Sequence, residues 1–495
     1  MIWALATFWL LDRTACPIVD GFQSLGAAVQ PGHPGQLSWP FVGSFMGYDR
    51  AWGFHWFGWP WLRSILGMAF PWSSCGDTLL LTAVWAITAI WTGDFARKVF
   101  AWRGAGLWTT VTLLLQPLFL VSVQSYRPEI PTALVLWLIS LAWGARERWK
   151  VAFRFAGLVI LPLFHPLGVV VPGLWLVVDI FRCRTWRDRY RSAFRMDSVA
   201  MLIGLALFAG WYVGGLAGEQ FLANISAQRA LTQAMNAGYG ALFHFGFSSN
   251  AAKLALSFGI VATWEAIRIV WKATMGGDAY VRLGPALAWL GALAFSIVSK
   301  NPNPLHLLAV FPFMAWLVAG AINDLIERSG NSIRLGVIAT AWILSASLCL
   351  TAVKRTVLVL SQGGAGYRAT LQEILNSVPQ ADRIYLPVCF WEAAVESGRW
   401  GSYRFSTFPN ILSKAMRKDY EELVFRDSRA GDIFILDPHQ EVAGVFNEYD
   451  ETAMKQVAVK PWEQAEWTEL KRVRLGFSYS FGQSEEFVIF QKNHD

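Results

Sequence analysis

Ten apolar runs of membrane-spanning length follow one another along this chain, at about 77–93, 106–124, 130–146, 151–165, 167–181, 197–216, 252–271, 283–299, 305–323 and 335–353. A segment lying in lipid must satisfy its own backbone hydrogen bonds, so such runs fold as helices. With a rise of 1.5 Å per residue, roughly 20 residues cross the ~30 Å hydrocarbon core. Met1 to Leu11 is apolar too, but as a helix it reaches only ~16 Å, about half of that core. Either this helix runs on past Asp12 and Arg13, or the true start lies upstream. The second is expected, because an Asp-Arg pair in mid-span is costly. The fold class that follows is a polytopic α-helical membrane protein of about 11 transmembrane helices. Composition agrees: 54% of residues are hydrophobic, 15% aromatic and only 16% charged, against about a quarter charged in soluble domains.

Charge sets the orientation. The net charge is +7, but it is unevenly divided: residues 1–353 hold 25 Lys and Arg against 15 Asp and Glu, and 354–495 hold 17 against 20. A basic membrane part with a slightly acidic tail does not point to a nucleic-acid partner. With the N-terminus on the cytoplasmic side, alternate loops carry 18 basic residues on that side and 7 on the other. The positive-inside rule then places the 12–76 loop, the Arg127 loop, the 217–251 loop and Lys300 outside, and eleven spans put the C-terminus outside as well.

From about residue 354 the pattern changes. TLQEILNSV reads as a short amphipathic helix, and RIYLPVCF, GDIFILDP and EFVIFQKN read as strands, being short and rich in apolar, β-branched and aromatic residues. The expectation is two domains: a transmembrane domain over 1–353, with the 12–76 outer loop carrying interfacial helices, and a small α/β soluble domain over 354–495. The five cysteines show no CxxC or Cys/His ligand spacing, so a zinc or redox motif is unsupported. Cys16 and Cys75 share the first loop and could pair if it faces an oxidising compartment. No signal-peptide cleavage pattern is present.

The 12–76 loop is crowded with Trp, Phe, Gly and Pro, yet it carries Asp12, Asp20, Asp49, His33 and His55. Asp20, in VDGFQSLGAA, could act as a general base on a hydroxyl or hold a divalent cation; as Asp followed by Gly it would equally serve as a helix N-cap. Asp49, Arg50 and His55 could line a polar cleft at the interface, or the acid and the arginine could merely solvate a loop anchored by tryptophans. Arg127 and Glu129 open a span in QSYRPEIPTALVLWL. Pro128 and Pro131 suit a first helical turn, and Glu129 complements the N-terminal dipole. A lone arginine in a short outer loop, against the topological bias, is explained by phosphate or carboxylate recognition. Lys300 and His306, in SKNPNPLHLLAVFPF, could grip the phosphate of a lipid-linked substrate, although Lys300 could also snorkel to the interface. His165, in LPLFHPLG, and His244 read as structural.

These features together resemble the GT-C superfamily of integral-membrane glycosyltransferases, in particular the bacterial relatives of protein O-mannosyltransferases and of the lipid A aminoarabinose transferase. The resemblance rests on the Asp-bearing first outer loop (VDGFQSLGAAVQPG and GFHWFGWPWLRSIL), on SYRPEIPTALVLWL, and on KNPNPLHLLAVFPFMAWL, and it covers residues 1–353. Two positions depart from the family pattern: Gly21 stands where a second acid is usual, and His55-Trp56-Phe57 replaces His-Pro-Pro. The resemblance implies transfer of a sugar from a polyprenyl-phosphate donor to a glycan, lipid or protein acceptor on the outer face of a bacterial inner membrane. By the same implication, Asp20 is the catalytic base. Arg127, Lys300 and His306 stabilise the departing phosphate, Glu129 orients Arg127, Asp49 and His55 support the site or bind acceptor, and the C-terminal domain caps the periplasmic face. A cofactor is not specified; a divalent cation at Asp20 is compatible.

A transporter or lipid flippase is the main alternative. Its usual marks are ionisable residues or broken helices near mid-membrane and repeat symmetry. No convincing repeat is present, and the polar residues collect at one face, which favours an interfacial enzyme. A non-catalytic assembly factor, or a ligase using a diphosphate-linked donor, would also fit the layout. No P-loop or Rossmann fingerprint occurs.

Overall fold

The computed structural model describes residues 2–14, 58–69, 73–124, 126–143, 147–182, 196–215, 250–274, 280–298, 304–361, 366–387, 390–397, 402–406, 428–436, 466–474 and 486–493. Their helical part consists of α1 (Ile2–Thr14), α2 (Gly58–Ala69), α3 (Ser74–Val99), α4 (Ala105–Leu114), α5 (Pro117–Gln124), α6 (Glu129–Ala142), α7 (Arg148–Phe164) and α8 (Leu167–Arg182). It continues with α9 (Met196–Gly215), α10 (Asn250–Thr274), α11 (Tyr280–Val298), α12 (Pro304–Leu307), α13 (Phe311–Arg328), α14 (Asn331–Ser347) and α15 (Leu350–Ser361).

Several boundaries differ from those the hydropathy suggests, and prolines or turns account for them. The run at 106–124 is not one helix: α4 ends in a turn at Leu115 and Gln116, and α5 restarts at Pro117, whose missing N–H and fixed φ suit a first helical position. The run at 305–323 begins as α12, tightens into a 3₁₀ turn at Leu308–Val310 and becomes α13 with Pro312 in its first turn. The run at 335–353 divides at Leu348 and Cys349, and α15 carries helix past the expected limit at 353. At the other end, α1 continues through Asp12 and Arg13 to Thr14, with the Arg13 guanidinium 4.8 Å from the ring centre of Trp9.

Among the described residues, two segments, Cys75–Val99 and Leu308–Arg328, are long and apolar enough to cross a membrane by length and composition. Around them the helices sort their apolar residues by size and direction. Trp85, Trp108, Trp137 and Trp316 are fully buried. Two of their indole N–H groups find acceptors, Trp85 donating to the Leu113 carbonyl at 2.9 Å and Trp108 to that of Ala341 at 3.1 Å, while those of Trp137 and Trp316 meet none among the described residues. The opposite faces of the same bundle expose Ile90, Trp91, Leu202, Trp264, Trp271 and Leu335. Apolar inside and apolar outside is the pattern of a helix bundle in lipid, and the chain is a membrane protein.

Ion pairs mark the end of the bundle where α3 and α13 finish. Arg268 binds Glu265 and Asp324, Arg282 reaches Asp324 at 3.7 Å and lies 5.4 Å from the Phe100 ring centre, and Asp94 pairs with Arg97 and Lys98. The starts of α3, α6, α8 and α12 lie at the other end.

The remaining elements are α16 (Tyr367–Ser377), β1 (Ile384–Pro387), α17 (Trp391–Glu396), β2 (Tyr403–Ser406), β3 (Ile433–Leu436), β4 (Trp467–Arg474) and β5 (Glu486–Lys492). The strands form one sheet in the order β2-β1-β3-β5-β4. β1 is parallel to both β2 and β3, Ile384 lying opposite Tyr403 and Ile433, whereas β5 is antiparallel to β3 and β4. The central strands are buried on both faces, Ile384, Leu386, Ile433, Ile435, Phe487 and Ile489 alternating with Tyr385, Phe434, Val488 and Phe490. β2 and β4 lie outside the three segments that read as strands in the sequence. β4 is an edge strand whose Glu469, Lys471 and Arg472 are exposed, so burial left no apolar signal there.

Candidate active site

The Arg127 loop is built by a helix that ends and another that begins within a few residues. Backbone N–H groups of Tyr126 and Arg127 close onto the carbonyls of Val123 and Ser122 at 3.0 and 3.1 Å. Tyr126 takes φ +48°, a left-handed conformation that among the described residues only it and Gly431 adopt. For a residue with a Cβ that conformation costs roughly 1–2 kcal/mol, and here it turns the chain so that Pro128 can start α6. The Tyr126 carbonyl accepts a 3.0 Å hydrogen bond from Trp59 Nε1 of α2. Its hydroxyl donates to Glu392 Oε1 of α17 at 2.5 Å. The loop is thus gripped by α2 on one side and by the C-terminal segment on the other.

Arg127 and Glu129 point inward. Arg127 Nη2 lies 2.7 Å and Nε 3.0 Å from Glu129 Oε1, with Nε also 3.1 Å from Oε2. Glu129 is fully buried and Arg127 is 6% exposed, so the carboxylate depends on this guanidinium for compensation.

Two histidines complete the group. His165 is the residue at which α7 stops: Pro166 follows and supplies no N–H, so the first donor of α8 is Leu167, and it donates to His165 Nδ1 at 3.2 Å. An accepting Nδ1 fixes the neutral ring as the tautomer with its proton on Nε2. Nε2 faces Glu129 Oε1 at 3.5 Å and His306 Nδ1 at 3.1 Å. His306, on α12, places Nδ1 3.2 Å from the same Glu129 oxygen. The first three charged or ring groups are buried, while the His306 side chain retains 25% exposure. A site has formed in which one buried carboxylate oxygen meets a guanidinium and two imidazoles, at the end of the bundle opposite the Arg268 cluster.

Of the residues singled out in the sequence, Arg127, Glu129 and His306 come together here, from positions as far apart as 179 residues. Asp20, Asp49, His55 and Lys300 lie outside the described residues, as do His244 and Cys16 with its proposed pairing to Cys75. His165, which reads as structural in the sequence, belongs to the group; the signal that could have found it is a His-Pro pair ending an apolar run on the same side as Arg127. Tyr126 and Glu392 carried no signal in the sequence.

Glu129, His165 and His306 each offer one ligand atom, all within 4.8 Å of one another, and that triad invites comparison with a metal centre. It does not fit one. A metal-bound imidazole normally donates its other ring N–H to an acceptor, but His165 Nδ1 faces the Leu167 N–H, a donor. Nε2 must therefore carry the proton and cannot ligate. Glu129 is moreover already engaged by Arg127. The fit of a cation to Asp20 lies outside the described residues.

No protein-family model and no curated protein matches the chain by sequence. Among solved structures, ArnT from Cupriavidus metallidurans bound to undecaprenyl phosphate superposes with a TM-score of 0.51 at 12% identity, covering 99% of this chain and 96% of that one. The chain has the GT-C fold. An archaeal oligosaccharyltransferase, AglB from Archaeoglobus fulgidus in complex with an inhibitory peptide and a dolichol phosphate, aligns with a TM-score of 0.45 at 12% identity over 98% of this chain and 74% of that one. Within the GT-C fold of this chain, the Arg127 loop, the two histidine turns and α17 of the C-terminal segment share one end of the bundle.

Proposed function

We propose that the protein is a membrane glycosyltransferase that moves a sugar from a polyprenyl-phosphate donor to a glycan, lipid or protein acceptor at the outer face of the membrane. The observation that carries this reading is the convergence of Arg127, Glu129, His165 and His306 at one end of an apolar helix bundle, on a fold shared with ArnT bound to undecaprenyl phosphate. A cationic and imidazole-bearing site at the edge of the lipid suits a phosphate whose tail stays in the bilayer.

In the reaction, Asp20 takes the proton of the acceptor hydroxyl as its oxygen attacks the anomeric carbon. The bond between that carbon and the phosphate oxygen breaks, and the electron pair leaves on the phosphate. Phosphate departs readily when preorganised positive charge meets it, a role for Arg127, Lys300 and His306, with Asp49 and His55 supporting the site or the acceptor. Any divalent cation would be held at Asp20. The C-terminal segment, joined to the Arg127 loop through Tyr126 and Glu392, would lie over the periplasmic face and select the acceptor.

The test is release of polyprenyl phosphate from a panel of polyprenyl-phosphate sugars with membrane-extract acceptors, comparing the wild-type protein with Asp20→Asn. Release by the wild type alone is expected. Movement of lipid-linked sugar across vesicles with no turnover of any donor would overturn the enzyme in favour of a transporter or flippase.

A further inference from the structure

The end of the bundle away from Glu129 holds a cavity of about 190 Å³, the volume of roughly six waters in the liquid. Its wall is made by the last turns of α3, α6 and α8, through Phe95, Ser140 and Asp179, and by the first turns of α11, through Gly284. Ser140 follows Glu129 along α6 by about 16 Å at the helical rise per residue, so this cavity is separate from the arginine and histidine site. Every side-chain donor in the wall is already spent. Trp143 Nε1 donates to Asp179 Oδ2 at 3.0 Å, Trp175 Nε1 to the Gly284 carbonyl at 2.9 Å, and the Ser140 hydroxyl to the Trp137 carbonyl at 2.7 Å. The wall is left with acceptors and ring faces: a carboxylate, a hydroxyl oxygen, and two indoles whose centres lie 5.2 Å apart at 55°. Three helices finish here against one that begins, and helix C-termini favour positive charge. A carboxylate and indole faces favour it too. Arg154 lies 5.8 Å from the Trp143 ring centre, but Asp197 meets its charge at 2.7 Å, so it does not oppose a second cation.

We propose that this cavity binds the primary ammonium headgroup of a phospholipid of the phosphatidylethanolamine type, drawn from the leaflet at this end of the bundle. Asp179 is the charge partner, Ser140 Oγ a second acceptor, and Trp143 and Trp175 form the walls. An ammonium with N–H bonds supplies the donors that the wall lacks. A trimethylated headgroup brings the charge without the donors, and an anionic one meets a carboxylate. The volume suits a headgroup, and the tail has a place to lie: Leu141 lines the cavity and is itself exposed on the lipid-facing surface, as is Val177 beside the lining residue Val178. A lipid held there ties together the ends of α6, α8 and α11. The site stands apart from glycosyl transfer and does not depend on it.

The test is native mass spectrometry of the delipidated full-length protein in detergent, titrated with phosphatidylethanolamine, phosphatidylcholine and phosphatidylglycerol of identical acyl chains. The wild type should bind phosphatidylethanolamine about tenfold more tightly than either of the others, the scale of one charge-assisted hydrogen bond. Asp179→Asn keeps an oxygen for Trp143 and removes the charge, so it should lose that preference. A Cβ on Gly284 would meet no atom within 4 Å. Gly284→Leu is therefore tolerated by the fold and should weaken phosphatidylethanolamine binding by filling the cavity. Thermal melts report the folding of both variants, and the headgroup comparison on the wild type stands without them. Equal affinity for the three lipids, or a preference for phosphatidylglycerol, overturns the proposal. So does a preference for phosphatidylethanolamine that survives unchanged in both variants, and so does displacement of the lipid by free ethanolamine at equal concentration, which would assign the cavity to a soluble amine. Each of these outcomes leaves the glycosyltransferase reading intact.

Discussion

The Tyr126 hydroxyl and the Glu392 carboxylate, 266 residues apart, share a 2.5 Å hydrogen bond in a buried setting. One partner adjoins the arginine of the candidate site, and the other lies on α17 beside the sheet. Each is nearly inaccessible, Tyr126 at 0% and Glu392 at 4%, so neither can fall back on water. Tyr126→Phe should cost about 1–3 kcal/mol, the penalty for a buried group left without its partner. Thermal unfolding of the purified protein measures this, and a double-mutant cycle with Glu392→Gln should show a coupling of about 0.5–3 kcal/mol. Additive effects would mean that the two ends of the chain are not joined through this bond.

Arg127 and Glu129 are a second buried dependence. Removing one partner of such a pair typically costs about 3–5 kcal/mol, because the other charge stays buried. Arg127→Ala is therefore expected to lower the melting temperature more than substitution of the exposed, paired Arg97. Arg127→Lys should restore little, since a single ammonium cannot reproduce the contacts of Nε and Nη2 with one carboxylate. Comparing the three melts in one detergent checks the order.

Helices α3 and α4 cross at facing glycines. A Cβ on Gly106 would sit 2.7 Å from the Gly93 carbonyl oxygen, and one on Gly93 would sit 2.6 Å from that of Gly106. Small residues permit this approach of two backbones, as is common in membrane bundles. Gly106→Val should destabilise by about 1–3 kcal/mol or more, with Gly106→Ala intermediate. A Gly106→Val protein that unfolds at the wild-type temperature would contradict the crossing.

In the sheet segment, Asp432 is buried at the entrance to β3, accepting the Arg429 N–H at 2.8 Å. Burial raises its carboxyl above the ordinary aspartate value, with the Arg429 N–H and Arg383 opposing it. The sign follows from linkage: a raised acid favours the protonated native state, so its contribution is present below the unfolded-state value and is lost as pH rises through the folded value. Asp432→Asn should therefore raise the stability of the full-length protein near pH 7 and leave it nearly unchanged near pH 3, by thermal melts at the two pH values. Equal effects at both would point to lost hydrogen bonding in place of ionisation.

Much of the helical framework was legible because lipid imposes a single rule, that apolar segments close their own hydrogen bonds. The three central strands were legible for a similar reason: Ile384, Ile433 and Val488 are buried and read as apolar runs. The chain breaks at Pro117 and at Leu348 were not, since hydropathy averages over a turn that interrupts the helix without interrupting its apolarity. β4 was hidden because its edge faces water. At the site, Arg127, Glu129 and His306 stood out as polar residues misplaced among apolar ones. His165 did not, because a histidine at a helix end has an adequate local explanation.

The sequence by itself determined that the chain lies in a membrane and which residue types are available in it for chemistry. Those follow from local composition and period. Only the tertiary structure decided that Glu129 holds Arg127, His165 and His306 around one oxygen, that the Leu167 N–H fixes the His165 tautomer, and that Tyr126 reaches Glu392. Those are contacts between helices that the chain order leaves far apart, and their distances are set by how the intervening bundle packs.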